Sequence, residues 1–249
     1  MVKAVVSGIY GKMGRVICEV ISQREDIEVV AGIDISDVKD SGFTVAKKPC
    51  DLPVKPDVII DFSHPSALDG LLEYARTNGV ALVLASTGYN EDEKAKIKSA
   101  ANDIAIFFTA NMSIGINLLS ELAKKAAAVL GGQFDIEIVE KHHNQKIDAP
   151  SGTALMLADA INSVENDKYS YVYDRHAVRK KREKTEIGIH AVRGGTIVGE
   201  HEVIFAGRDE VITLSHSAYS KQVFAAGAVN AAVFMADKKS GMYSMADMI

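Results

Sequence analysis

Val5-Val6-Ser7-Gly8-Ile9-Tyr10-Gly11-Lys12-Met13-Gly14-Arg15 leads an apolar run through a glycine turn into a helix-like segment, and its reading decides the fold of the N-terminal half. The spacing is Gly-x-x-Gly-x-x-Gly. Glycines at a strand-to-helix turn let the backbone bend tightly and approach a pyrophosphate, while the helix N-terminus supplies N–H donors. Gly8 and Gly11 are placed to line phosphates, and Gly14 to pack the helix on a sheet. Asp34 ends the next strand-like run, roughly twenty residues after Gly14, where an acid accepts from ribose hydroxyls. Glycines alone would suit an ordinary tight turn; strand, helix and acid in register favour a dinucleotide site. Lys12 reads equally as an exposed helix residue or a phosphate contact.

Outward from this turn, the first half alternates strand-like runs (2–7, 28–34, 58–61, 81–85, 104–109) with helix-like ones (13–23, 65–77, 91–101). Such alternation predicts a parallel sheet with helices on both faces. After Asn111 the rhythm changes. A long apolar helix is predicted over 116–130, then a strand from Asp135 and a helix from Ala154, then three consecutive strands over 186–192, 197–206 and 210–217, which suit an antiparallel or mixed sheet. An alanine-rich helix over 222–236 closes the chain and returns to the first domain. The predicted fold class is therefore α/β: a Rossmann-like dinucleotide-binding domain (1–112 with 222–249) and an α+β domain with a mixed sheet (113–221).

The densest chemistry lies in Glu140-Lys-His-His-Asn-Gln-Lys-Ile-Asp-Ala-Pro-Ser-Gly-Thr-Ala154, which follows a strand and opens a helix. A helix N-terminus carries unpaired N–H groups and partial positive charge, a seat for a carboxylate that Lys146 and a protonated histidine would reinforce. Histidine also supplies protons near neutral pH. His142 and His143, adjacent on an extended segment, point to opposite sides and make a poor pair for one metal, so no metal is expected. No serine or cysteine sits in a recognisable nucleophile motif. His64, His176, His190, His201 and His216 read as structural residues.

With 28 Lys and Arg against 33 Asp and Glu, a net charge of −5 argues against nucleic acid or an anionic membrane as the main partner. No apolar run approaches a membrane span, no export signal is visible, and two cysteines without framework spacing suit a reducing compartment, so a cytoplasmic protein is expected. Arg175–Lys184 places six basic residues in ten. It reads as a solvated loop, or more sharply as a basic flap that attracts an anionic substrate.

The motifs together resemble the 4-hydroxy-tetrahydrodipicolinate (dihydrodipicolinate) reductase family from end to end. The likeness runs through Gly8-x-x-Gly11-Lys12-Met13-Gly14, Asp61-Phe62-Ser63, Ser86-Thr87-Gly88-Tyr89 and Ala110-Asn111-Met112-Ser113-Ile114-Gly115. It continues in His142-His143-x-x-Lys146-x-Asp148-x-Pro150-Ser151-Gly152-Thr153-Ala154, Val192-Arg193-x-Gly195 with Gly199-Glu200-His201, and Phe224-Ala225-x-Gly227-Ala228. The resemblance implies an NAD(P)H-dependent reduction of a cyclic dicarboxylate in diaminopimelate and lysine biosynthesis. It implies His142 as general acid/base, Lys146 as proton donor, and His143, Gly152 and Thr153 as substrate contacts. Gly8, Ile9, Tyr10, Gly11, Lys12, Met13 and Asp34 match the cofactor loop and its ribose acid, with further cofactor segments at Ala85, Ser86, Thr87 and at Thr109, Ala110, Asn111, Met112. Ile35 and Ser36 bring no basic group for a 2′-phosphate, so NADH is expected to serve at least as well as NADPH. Lys221 stands where the family often has arginine, and lysine cannot make a bidentate guanidinium contact. The resemblance also implies a homotetramer built on the middle sheet and domain closure about Asn111–Ser113 and Ser220–Lys221. The competing readings are another NAD(P)-dependent amino-acid-pathway dehydrogenase and a non-catalytic NAD(H)-sensing module.

Overall fold

The glycine turn joins β1 (Val2–Ser7) to α1 (Lys12–Ser22) in a computed structural model that describes residues 1–36, 42–109 and 111–248. Two compact units divide the chain: Met1–Ser113 with Lys221–Ile249, and Ile114–Ser220.

In the first unit β1 lies between β2 (Ile27–Ile33) and β4 (Val58–Asp61) of a seven-stranded sheet; β3 (Val45–Ala46) lies outside β2, and β5 (Ala81–Leu84), β6 (Ala105–Phe108) and β12 (Gly241–Tyr243) lie beyond β4. Every pairing is parallel. The two-residue period of a strand sends alternate apolar side chains to opposite faces. Ala4, Val6, Val58 and Ile60 join α1 and the C-terminal α6 (Gln222–Met235) in one core, whereas Val5, Ile59 and Leu82 join α2 (Leu68–Asn78) and α3 (Glu91–Ala100) in another. Each large side chain so buried contributes about 1.5–3 kcal/mol. The chain winds one way from β1 through β2 and the other way from β4, so the crevice beyond the carboxyl ends of β1 and β4 is the switch point where such sheets bind ligands.

Close backbone approach explains two glycines. Gly8 has φ +77°, and a Cβ there would lie 2.9 Å from the Phe62 carbonyl at the end of β4. On α6, a Cβ at Gly227 would sit 1.7 Å from the Met112 carbonyl.

The second unit is a five-stranded mixed sheet in the order β11 (Val211–Ala218), β10 (Gly199–Ala206), β7 (Asp135–His142), β9 (Glu186–Arg193), β8 (Ser170–Val172). β10 is antiparallel to both neighbours, and the remaining pairs are parallel. Ile136 and Ile138 of β7 pack with Ile116, Leu119 and Ala123 of α4 (Ile114–Leu130) and with Ala154, Leu157 and Ile161 of α5 (Gly152–Ser163). The fold class is as expected, with local differences. β3, β8 and β12 are too short for a two-residue period to show, and the 65–77 helix starts as a 3-10 turn at Pro65–Ala67 before α2.

The basic segment 175–184 is an exposed loop, as one of its two readings expects, and ion pairs hold it down. Arg175 donates to Glu186 (2.7 Å) and Glu137 (3.0 Å), and Arg182 to Glu137 and Asp135 (both 2.9 Å) and to the carbonyls of Ile136 and Glu186. Lys180 also pairs with Glu186. The segment is strapped to an acidic patch on β7 and β9, so its strongest cations are already neutralised; Arg179, Lys181 and Lys184 stay exposed. Gly188, in register with Glu137, makes room for that carboxylate, since a Cβ would come within 1.7 Å of its Oε2. Arg175 first, then Lys180, hold the Glu186 carboxyl at about 2 against an ordinary 4.5. A depressed carboxyl stabilises the fold above its unfolded pKa and loses that contribution as pH falls toward its folded value.

Two outcomes follow for stability. Gly227→Ala forces Cβ onto a backbone carbonyl and lowers stability by about 1–3 kcal/mol or more, whereas Gly70→Ala on exposed α2, where Cβ meets only Pro49 at 3.8 Å, is neutral or stabilising; thermal melts of the two variants check the contrast. Arg175→Ala lowers stability near pH 7, and its deficit against wild type narrows as pH drops from about 4.5 toward 2, read by urea titrations at several pH values.

Candidate active site

β7 runs as far as His142, three residues beyond the apolar stretch Asp135–Val139 that marks it in the sequence, so Glu140 and His142 are sheet residues. Strand alternation places them on the face of Ile136 and Ile138, under the helices, and turns Lys141 to the other face. Cross-strand register completes the group: His142 is level with Arg193 of β9, and Glu140 with His201 of β10.

Glu140 has no exposed surface, and four donors converge on its carboxylate. Oε1 accepts from Arg193 Nη2 (2.7 Å) and the Ser151 N–H (3.0 Å); Oε2 accepts from Arg193 Nη1 (2.8 Å) and His142 Nδ1 (2.5 Å). This uses about all four lone-pair sites of an ionised carboxylate. Burial opposes its charge, yet Arg193, His142 and the Ser151 N–H together hold it below the usual glutamate value. Burial lowers the pKa of His142 while Glu140 pulls it back up, and the net direction is down. His201, at 5.2 Å between ring centroids from His142, is pushed to about 4 by burial and is neutral at physiological pH.

Ser151 caps α5: its Oγ accepts from the Ala154 N–H (3.2 Å) and lies 3.1 Å from His201 Nε2. Lys146 sits in the turn after β7, where its N–H donates to the His143 carbonyl and its Nζ lies 2.9 Å from Asp148. Desolvation raises the Asp148 carboxyl, yet the Lys146 ammonium prevails and the net direction is below the ordinary value. Lys146 Nζ, expected to meet a substrate carboxylate, thus already meets a carboxylate of the chain itself. His143 and Thr153 are half-buried beside them.

The expected cofactor residues lie in the first unit, at the carboxyl ends of its parallel strands. Gly8 N–H donates to the Ile33 carbonyl and Gly11 N–H to the Gly8 carbonyl, pinning the turn to the end of β2. Asp34 accepts from the Tyr10 N–H (3.0 Å) on one oxygen and the Ser36 N–H (2.9 Å) on the other, which aims it while leaving lone pairs for further donors. Gly11 caps α1 without a side-chain hydrogen bond, and a Cβ at Gly14 would strike the Gly8 carbonyl at 2.2 Å. This glycine cradle at an uncapped helix start, flanked by an aimed acid, fits a dinucleotide pyrophosphate. Lys12 is exposed at the first position of α1 and Met13 packs against the core. Ile9 is buried, filling the space of an absent Gly32 Cβ, and offers a ligand only its backbone. Ala85 and Ser86 follow β5, where Ser86 Oγ donates to the buried Asp61 (2.7 Å), and Thr87 is exposed. Beyond β6, Thr109 Oγ1 donates to the Asn111 carbonyl, Asn111 Oδ1 accepts from the Ser113 N–H and Met112 is buried. Ala110 lies outside the described residues.

Glu140, Arg193 and His201 had no site role on sequence grounds. The usable signal was the continuation of the β7 alternation through Glu140 to His142; the cross-strand partners leave no local trace.

Comparison with known proteins bears on the whole chain. Residues 2–112 match the family model described as dihydrodipicolinate reductase, N-terminus, and 115–249 match its C-terminus counterpart. A 4-hydroxy-tetrahydrodipicolinate reductase of Caldanaerobacter subterraneus subsp. tengcongensis is 50% identical over 249 residues, covering 100% of this chain and 98% of the relative. One from Clostridium novyi is 47% identical with the same coverage. Among solved structures, a dipicolinate-bound dihydrodipicolinate reductase from Paenisporosarcina sp. TG-14 superposes with a TM-score of 0.82 at 26% identity, covering 100% of both chains. With both halves matched in order and near-half identity sustained along its length, this chain belongs to the dihydrodipicolinate reductase family.

Proposed function

We propose that this chain catalyses the NAD(P)H-dependent reduction of 4-hydroxy-tetrahydrodipicolinate, by way of dihydrodipicolinate, to tetrahydrodipicolinate in diaminopimelate and lysine biosynthesis in the cytoplasm. The observation that carries the reading is a buried, carboxylate-bound His142 beside Lys146 and the start of α5, in a chain of this family. The dipicolinate bound by the Paenisporosarcina relative supports a cyclic dicarboxylate as the ligand class.

Gly8 to Met13 and Asp34 hold the cofactor, with Ala85 to Thr87 and Thr109 to Met112 as further contacts. When bound, the nicotinamide supplies the hydride. The residues of this chain then bind, orient and protonate. The Gly152 and Thr153 N–H groups, His143 and Lys146 receive substrate carboxylates, each charge-assisted hydrogen bond contributing about 1.5–3 kcal/mol. Lys146 reaches substrate by exchanging the Asp148 carboxylate for that of the ligand. A dianion beside His142 raises its pKa from the lowered resting position and favours the imidazolium. That imidazolium, with Lys146, delivers the proton that the reduced ring takes up, a contribution of roughly 10²–10⁴-fold. NADH serves at least as well as NADPH, since Ile35 and Ser36 after Asp34 offer no cation to a 2′-phosphate. The chain works as a homotetramer assembled on the mixed sheet.

Mixing protein, NADH or NADPH, and substrate condensed from pyruvate and aspartate semialdehyde gives substrate-dependent loss of nicotinamide absorbance; none with either cofactor rejects the reading. In the same assay His142→Gln lowers kcat by about 10²-fold or more with cofactor affinity retained, whereas Asp34→Ala weakens cofactor binding more than turnover. Light scattering at micromolar concentration shows four subunits, and a monomer alone discards the tetramer.

A further inference from the structure

Among the described residues, the His142 ring has one hydrogen-bond partner. Its Nδ1 meets Glu140 Oε2 at 2.5 Å, and an ionised carboxylate can only accept, so Nδ1 carries a proton in both the neutral and the charged ring. Glu140 in turn has no freedom to rotate away, because Arg193 grips both its oxygens and the Ser151 N–H fixes Oε1. Opposite, the Nε2 edge faces Gly199, where a Cβ would lie 3.2 Å from Nε2 and crowd it. The chain therefore spends one nitrogen of His142 on an inward anchor and keeps a residue without a side chain beside the other.

We propose that Glu140 is the positioning residue of the proton-transfer site, clamped by Arg193 so that it fixes His142 in the Nδ1–H form and leaves Nε2 as the atom that exchanges the proton with substrate. The clamp acts through His142 and rests on its acid/base role; Glu140 itself touches no substrate. Its carboxylate also favours the imidazolium against the other groups around the ring. Those groups are Arg193 on β9, His201 on β10 with His216 behind it on β11, and Lys146 with its partner Asp148 in the following turn. Arg193, Lys146 and burial all favour the neutral ring, and Glu140 works against them to keep it chargeable.

Nitrogen-15 histidine labelling of the full wild-type chain, without any ligand, reads the tautomer directly by long-range proton–nitrogen correlation, with His142→Gln identifying the signals. The expected result for neutral His142 is the Nδ1–H form; the Nε2–H form overturns the proposal whether or not the chain proves to be a reductase. In steady-state assays Glu140→Gln lowers kcat by roughly 10²-fold with KM changed less than about threefold. The limb of the kcat–pH profile on which the imidazolium is lost moves down by about one unit or more. Glu140→Asp, which keeps the charge, restores the position of that limb. Unchanged kcat and an unmoved limb in a folded Glu140→Gln enzyme overturn the proposal; if that variant fails to fold, the wild-type tautomer decides. A wild type that binds cofactor and shows the Nδ1–H form yet turns nothing over rejects the reductase reading alone.

Discussion

A carboxylate without exposed surface has to be neutralised where it stands, and in the second unit that constraint falls on Glu140. Isolated buried charge costs several kcal/mol, and removing one partner of a buried pair typically costs about 3–5 kcal/mol. Glu140 is satisfied by donors from β7, β9 and the start of α5: His142, Arg193 and the Ser151 N–H. The same four contacts therefore fasten the central strand to its parallel neighbour and to the start of α5. Placement of His142 and placement of that helix are one structural event. Ser151 links the group onward to His201 of β10, so three adjacent strands and one helix share a single polar knot at the end of an otherwise apolar core.

The first unit depends on a different constraint, the closeness of backbones at the switch point of its sheet. Gly8 lies against the carbonyl of Phe62, Gly14 against that of Gly8, and Gly32 leaves its space to the Ile9 side chain. Steric exclusion of Cβ atoms thus sets the shape of the turn, and the turn delivers the start of α1 to the end of the sheet without a side-chain cap. An anion completes such a helix start because the unpaired N–H groups and the aligned peptide dipoles favour negative charge. Asp34, held by the Tyr10 and Ser36 N–H groups, marks the far side of the same cradle.

Charge on the opposite face of the mixed sheet is balanced locally. Asp135, Glu137 and Glu186 receive Arg175, Lys180 and Arg182, and Lys141 bridges Glu200 and Glu202. A basic run that invites reading as a substrate flap is in large part the counter-charge of an acidic strand surface. Such a network is better placed to stabilise than isolated surface pairs, since each guanidinium is shared between two carboxylates.

The sequence by itself determined the two sheets, the glycine turn with its acid, and the pairing of His142 and Lys146 with a helix start. Each is written in local spacing: alternation with a period of two, helical periodicity, and glycines where Cβ has no room. Only the tertiary structure decided that Glu140 and His142 form one hydrogen-bonded unit clamped by Arg193, that His201 joins them, and that Asp148 rests on Lys146. Those neighbours come from strand order and register, β10 and β9 flanking β7, and a residue's sequence position carries no information about which strand will lie beside it. The basic run shows the same limit. Its charge was legible, but whether that charge served a substrate or Glu137 and Glu186 depended on which surface folded beneath it.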